Sequence, residues 1–115
     1  MEITIKSGIT EENLNDLMVA ALEGGINYWA EKCEITENPK GRDYASEVVA
    51  SGGVISIIED DGTPNELTRE KLLKGVKMGM EWGGYSKVDD LMEDHDAETA
   101  DVIVQYALFD EIVYG

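Results

Sequence analysis

The sequence predicts an α+β fold: a single compact domain spanning residues 1–115, with a small, mostly antiparallel sheet of three to five strands and about three helices packed on one face. Three observations predict it. A chain of 115 residues with 43% hydrophobic content is the size of one domain and can bury an ordinary core. Apolar residues recur at helical spacing in three stretches, around Leu14–Leu22, Leu72–Met80 and Ala100–Leu108. Short runs of strand character separate them, the most apolar being Val54-Ile55-Ser56-Ile57-Ile58. A net charge of −16 would suggest disorder in a chain poor in aliphatics, and this chain is not poor in them.

Met1–Lys6 alternates, with Ile3 and Ile5 on one side, and reads as a short strand. Thr10 then offers its hydroxyl as an N-cap, and Leu14, Leu17, Met18, Ala21 and Leu22 form one apolar stripe. Glu11 and Glu12 fall in the first turn, where the helix dipole favours negative charge. Gly24-Gly25 reads as the stop, since glycine accepts the left-handed conformation. Tyr28–Ile35 is the next strand, with Trp29, Cys33 and Ile35 on one face and Glu31 interrupting it; Asn38-Pro39-Lys40-Gly41 is a turn. Tyr44–Ser51 makes two helical turns with Tyr44, Val48 and Val49 inward, ended by Gly52-Gly53. Val54–Ile58 is expected at the centre of the sheet, covered on both faces. Asp60–Asn65 is a loop leading, as a hairpin, into a short strand at Glu66-Leu67.

Thr68 caps a helix reaching Trp82, with Leu72, Leu73, Val76 and Met80 inward and Arg69, Lys71, Lys74 and Lys77 mostly outward; Gly83-Gly84 ends it. Gly75 and Gly79 bare the backbone along one stripe of that helix. Each costs about 1 kcal/mol against alanine, a cost that close packing on another element would explain. Asp96 caps the last long helix, Ala97–Phe109, whose Ala100, Ile103, Val104, Ala107 and Leu108 face the core, and Ile112–Tyr114 is a terminal strand. Ala21-Leu22 followed by Ile26-Asn27-Tyr28 is echoed by Ala107-Leu108 followed by Ile112-Val113-Tyr114, which two similar helix-to-strand corners account for without duplication.

The residues argue against catalysis. His95, the only histidine, sits between Asp94 and Asp96 just ahead of a helix and reads as a surface residue. Cys33, the only cysteine, lies on an apolar strand face and reads as a small buried hydrophobe. A lone cysteine excludes an intramolecular disulfide and a four-cysteine zinc site, and fits a reducing compartment. The acids at Asp89, Asp90, Glu93, Asp94 and Asp96 lack the spacing of a calcium loop, so no metal is expected. The paired glycines follow helices, whereas a phosphate cradle must precede one. No cofactor is expected and the chain reads as a non-enzyme. MEITIKSGIT lacks the pattern of a signal peptide and no apolar run approaches bilayer length, so the chain reads as cytoplasmic with no membrane partner.

Charge is the distinctive feature. Twenty-five acids face nine lysines and arginines, a field that repels nucleic acid and favours a basic protein partner. It is also lopsided: Val88–Gly115 contains nine acids and no lysine or arginine. Asp89–Asp101 as a continuous helix would carry roughly one charge per 2.8 Å, sparser than the duplex value of about 1.7 Å, so the segment alone is no faithful nucleic-acid mimic. The plain alternative is a solvated helix face serving solubility. Trp82, Tyr85 and Met92 beside the acids supply the anchors that interfaces contain, which favours a protein-binding surface made of Trp82, Tyr85, Asp89, Asp90, Met92, Glu93, Asp94, Asp96, Glu98 and Asp101.

The blocks LMVAALEGGINYW, YASEVVASGGVISI, EKLLKG and DAETADVIVQYALFDEIVYG resemble a family of small accessory proteins encoded by tailed phages and prophages, over most of the chain and in order. The resemblance transfers no catalytic residue. It implies a context, the infected bacterial cytoplasm, in which such proteins bind and block host machinery, antiviral defence such as CRISPR systems included. The leading expectation is therefore an acidic inhibitor that occludes a basic surface on a host protein. The competing expectation is a module that sequesters a nucleotide-like signal in a pocket near Tyr28, Trp29, Lys32, Arg42 and Tyr44, with Lys40 nearby. A virion or enzyme-subunit component is a third, and a homodimer is compatible with all of them.

Overall fold

The structure, a computed structural model, describes residues 8–115, so the strand expected at Met1–Lys6 lies outside the described residues. The first helix, α1 (Glu11–Ala20), begins with a reciprocal cap: Asn13 N donates to Thr10 Oγ1 at 3.1 Å and Thr10 N donates to Asn13 Oδ1 at 3.0 Å. Leu14, Leu17 and Met18 are its buried stripe. The helix then widens into one π-helical turn, Ala21–Gly25, closed by Ile26 N donating to Ala21 O at 3.0 Å. Gly24-Gly25 is thus no left-handed stop, since neither residue has a positive φ. Gly25 is there for proximity: a Cβ would lie 2.5 Å from Ala97 O, at the start of the last helix.

Strand β1 (Ala30–Glu37) starts two residues later than expected, because Tyr28 and Trp29 belong to the turn after Ile26. Helix α2 (Ala45–Ala50) buries Val48 and Val49 as expected. Tyr44 does not point inward: it is the N-cap, with extended backbone at φ −116° and ψ 145°, and is 69% exposed. Strand β2 (Val54–Glu59) is the central strand of an antiparallel sheet ordered β1-β2-β3, where β3 is Pro64–Leu67. The third strand begins two residues earlier than expected, just after a turn in which Gly62 takes φ +91°.

Register settles which face is covered. Ile55 pairs with Ile35 and Leu67, and Ile57 with Cys33 and Asn65, on the side where Ile55, Ile57 and Leu67 are buried. Ser56, half-buried, stands on the other side between Glu34 and Glu66. The sheet is therefore covered by helices on one face, and the two-sided cover expected of Val54–Ile58 holds only in part, at Ile58.

Helix α3 (Arg69–Gly83) is capped by Thr68, whose Oγ1 accepts from Lys71 N at 3.2 Å, and ends at Gly84 in the left-handed region. A further helix, α4 (Val88–Asp94), was not anticipated; Val88 and Leu91 fasten it to the core. His95 and Asp96 are extended and break the chain before α5 (Ala97–Phe109), where Asp96 Oδ1 accepts from Thr99 N at 2.9 Å. Five α-helices and three strands thus make the α+β domain among the described residues. Gly75 and Gly79 are where α3 meets α5: a Cβ on Gly75 would fall on Ile103 O, and one on Gly79 would lie 2.6 Å from Ile103 Cγ1.

Ile112–Tyr114 is not a strand. Its amides are taken by a side chain, since Val113 N and Tyr114 N donate to Gln105 Oε1 at 2.7 and 2.8 Å. A backbone whose donors are satisfied this way has no need of a ladder. The echo between Ala21–Tyr28 and Ala107–Tyr114 is accordingly one of sequence, as neither helix end runs into a strand at the matching position.

Candidate functional site

The acidic surface is built by α4 and the entry to α5. Asp89, Asp90, Glu93 and Asp94 are exposed on α4, and Asp96 and Glu98 continue them across the break. The ion pairs among the described residues are Lys32–Glu34, Arg42–Glu11 and Lys74–Asp110, so none of these six carboxylates has a cation of its own. Their placement is not the one helix stability would select. Asp89 and Asp90 lie in the first turn, where the dipole welcomes them, but Glu93 and Asp94 lie in the last turn, where it opposes them. Asp89 and Glu93, and Asp90 and Asp94, are also like charges at i,i+4.

The break is built to hold its shape. His95 Nδ1 donates to Met92 O at 2.8 Å, and Asp96 Oδ1 accepts from both the amide and the hydroxyl of Thr99, at 2.9 Å each. Those bonds, the backbone one first, hold the Asp96 carboxyl below its ordinary range. Tyr85 stands close to this corner: partial desolvation, then the charges of Asp94 and Asp96, push its hydroxyl up. Of the three expected anchors, Trp82 is the exposed one, at 43%, while Tyr85 and Met92 are half-buried against the core.

Asp101 does not belong to this surface. It is 6% exposed, on the inner side of α5. Its Oδ1 accepts from Trp29 Nε1 at 2.8 Å and Gln105 Nε2 at 2.9 Å, and its Oδ2 from Tyr28 OH at 2.6 Å. Gln105, held by its amide nitrogen, turns Oε1 to the C-terminal backbone. Tyr114 then stacks on Trp29, with ring centroids 5.0 Å apart and planes 4° apart, and its hydroxyl donates to Glu59. Phe109 closes the cluster at 5.7 Å from Trp29. Nothing in the spacing of Tyr28, Trp29, Asp101, Gln105 and Tyr114 announces this network. The one sequence signal was an acid, Asp101, on the apolar side of a helix, beside Ala100 and Val104.

The alternative pocket does not assemble. Trp29 is buried in the aromatic cluster, and Tyr28 is committed to Asp101. Tyr44 lines a shallow depression of about 390 Å³ with Asn15, Val19, Leu22 and Glu47. Arg42 lines a second, of about 330 Å³, where it pairs with Glu11 at 3.5 Å. Lys32 lines a third, of about 220 Å³, against Leu22 and Cys33. None of these three depressions gathers two cations for a phosphate, and Lys40 lines none of them. Burial first, and then Glu34, push the Cys33 thiol up to about 11, away from a nucleophile's range. Among the described residues no group of three or more His, Cys, Asp or Glu could hold a metal ion, and no helix is long and apolar enough to cross a membrane.

The tyrosines of the network report on it. Burial and then Asp101 raise the Tyr28 hydroxyl to about 12, and the hydrogen bond to Glu59, followed by burial, raises Tyr114 to about 12. A phenol raised in the folded state is held neutral there, so its contribution to stability is complete below the ordinary value of about 10 and is lost as pH rises toward 12. Absorbance at 295 nm is expected to show the Tyr28 and Tyr114 phenols ionising late, with stability falling between about pH 10 and 12. Tyr28→Phe should remove one late phenol; ionisation of all five near pH 10 would contradict the network.

Comparison of the chain with protein-family models, with curated proteins and with solved structures returned no match.

Proposed function

We propose that the protein is a non-enzymatic inhibitor that docks its α4 edge onto a basic surface of a host protein and occludes it. The observation that carries this reading is the set of six exposed carboxylates from Asp89 to Glu98, without an ion-pair partner among the described residues, two of which oppose their own helix dipole. A surface serving solubility alone needs no such concentration, because acids interspersed with lysines do as well without mutual repulsion. Trp82 adds a large exposed anchor on the neighbouring helix end. The resemblance to phage accessory proteins supports an infected bacterium as the setting and an antiviral defence protein as the class of target.

The test compares wild type with the variant Asp89→Asn, Asp90→Asn, Glu93→Gln, Asp94→Asn in affinity capture from bacterial lysate, followed by association kinetics on whatever the wild type retains. Charge steering predicts a fall in association rate of about tenfold or more at low salt, and a flatter salt dependence. Removing two i,i+4 repulsions should leave the melting temperature unchanged or raised, so lost binding cannot be put down to unfolding. Equal capture and equal kinetics in the two proteins would refute this surface.

A further inference from the structure

Strand β1 is an edge strand: it pairs with β2 on one side, and among the described residues no strand lies on the other. The β1–β2 register slips around Glu31 and Thr36, leaving Lys32–Ile35 as the regular stretch. A second copy is the occupant whose sequence can be checked against this edge. Two copies joined antiparallel edge to edge are related by an axis perpendicular to the sheet, so one residue must stand opposite itself. Centring on Lys32 or on Glu34 sets like charges face to face. Centring on Ile35 puts Glu34 opposite Thr36 and Cys33 opposite Glu37, which brings no opposite charges together.

Only Cys33 remains, and that register is self-complementary. It places Lys32 of each copy opposite Glu34 of the other, twice by symmetry, on the outer face where both side chains are more than half exposed. On the helix-covered face it joins the two half-buried Cys33 side chains. Ile35 of each copy, 43% exposed although its row neighbours Ile55 and Leu67 are fully buried, comes opposite Glu31 of the other. There it lies beside the depression of about 220 Å³ lined by Leu22, Ile26, Ala30 and Cys33. We infer that β1 is a self-association edge, through which two copies join their described strands into one continuous sheet in the register centred on Cys33. The flanking bulges keep the paired stretch short, and two copies of a chain of charge −16 repel, so the dimer is a weak, reversible one with a dissociation constant on the order of 0.1 mM.

Sedimentation equilibrium at about 0.15 M salt tests this with two charge reversals at exposed positions. Wild type is expected to rise reversibly toward twice the monomer mass as concentration approaches millimolar. Lys32→Glu and Glu34→Lys, each alone, turn both attractive pairs into repulsive ones and should weaken association about tenfold or more. Mixing those two variants restores both attractions across the edge, and the mixture should be heavier than either variant alone. Far-ultraviolet circular dichroism checks that both variants are folded. A wild type that stays monomeric at millimolar concentration, reversals without effect, or a mixture no heavier than its components would each overturn the inference.

Discussion

Asp101→Ala is expected to lower the unfolding free energy by about 3 kcal/mol and the melting temperature by about 10 °C or more. The substitution removes an acceptor shared by three donors from different parts of the chain: Trp29 Nε1, Gln105 Nε2 and Tyr28 OH. Trp29 and Gln105 are fully buried, so water cannot replace the lost carboxylate, and an orphaned buried donor costs about 1–3 kcal/mol. Tyr28 is half exposed and can turn to solvent, which makes it the cheap member of the set. The loss reaches the C-terminus, because Gln105 presents Oε1 to Val113 and Tyr114 only while its nitrogen is held. Urea denaturation followed by tryptophan fluorescence gives the free energy, and limited proteolysis of Ile112–Gly115 reports the loosening of the tail. Asp101→Asn separates hydrogen bonding from charge. Its retained oxygen can keep Trp29 and Gln105, while its nitrogen donates to a tyrosine hydroxyl that can accept. A loss of about 1 kcal/mol is expected for it. An alanine variant as stable as wild type would show that the network is not what ties the tail to the core.

That network also marks the limit of what local pattern can disclose. Helices α1, α3 and α5 were legible because their start signals and stripes are local: Thr10, Thr68 and Asp96 cap within three residues, and the apolar repeat needs no tertiary partner. The sheet was legible from Val54–Glu59 and from the turn residues before Pro64. Helix α4 was missed because only Val88 and Leu91 carry its apolar face, too few to establish a period, while the acids around them read as charge alone. The tail was misread for the opposite reason. Ile112, Val113 and Tyr114 have the composition of a strand, yet a glutamine one helical turn inside α5 satisfies their amides and two are largely exposed. Gly25 shows the same limit in miniature. It sits in helical backbone for lack of room against Ala97 O, so a left-handed stop is the wrong reason at Gly24-Gly25, whereas at Gly83-Gly84 the stop holds, with Gly84 left-handed.

At the candidate surface, exposure was legible for the six carboxylates but not for Asp101. The distinction lies in helix phase: Asp101 follows Ala100 and precedes Val102, and on α5 every position from Thr99 to Gln105 is buried. A helix enclosed on that scale has no polar face to which an acid could be assigned, and only the partners reveal why one is there.

The same enclosure makes Gly75→Ala the most damaging single-methyl change to be expected in the α3–α5 contact. Alanine would raise helix propensity by about 1 kcal/mol, so a solvent-facing glycine would gain from it. Here the added carbon falls on Ile103 O, 2.9 Å from Ala107 Cβ and 3.0 Å from Ala107 N. Two of those three obstacles are backbone atoms, and backbone yields only if the helices part. Overpacking of this kind costs about 1–3 kcal/mol and occasionally more, so a net loss of about 2 kcal/mol is expected after the propensity gain. Gly79→Ala is the internal control. Its new carbon meets the Ile103 side chain, Cγ1 at 2.6 Å and Cδ1 at 3.5 Å, which a rotamer change can relieve, so its net effect should stay within about 1 kcal/mol. Combining each with Ile103→Ala decides between the two mechanisms. Removing that side chain should offset the Gly79→Ala clash and give a favourable coupling of about 1 kcal/mol, but leave the Gly75→Ala penalty intact, because the offending oxygen remains. Chemical denaturation of wild type, the three single variants and the two double variants measures all of these quantities. If Gly75→Ala proved stabilising, the two helices would have to stand further apart than described, and the glycine stripe would be tolerated rather than required.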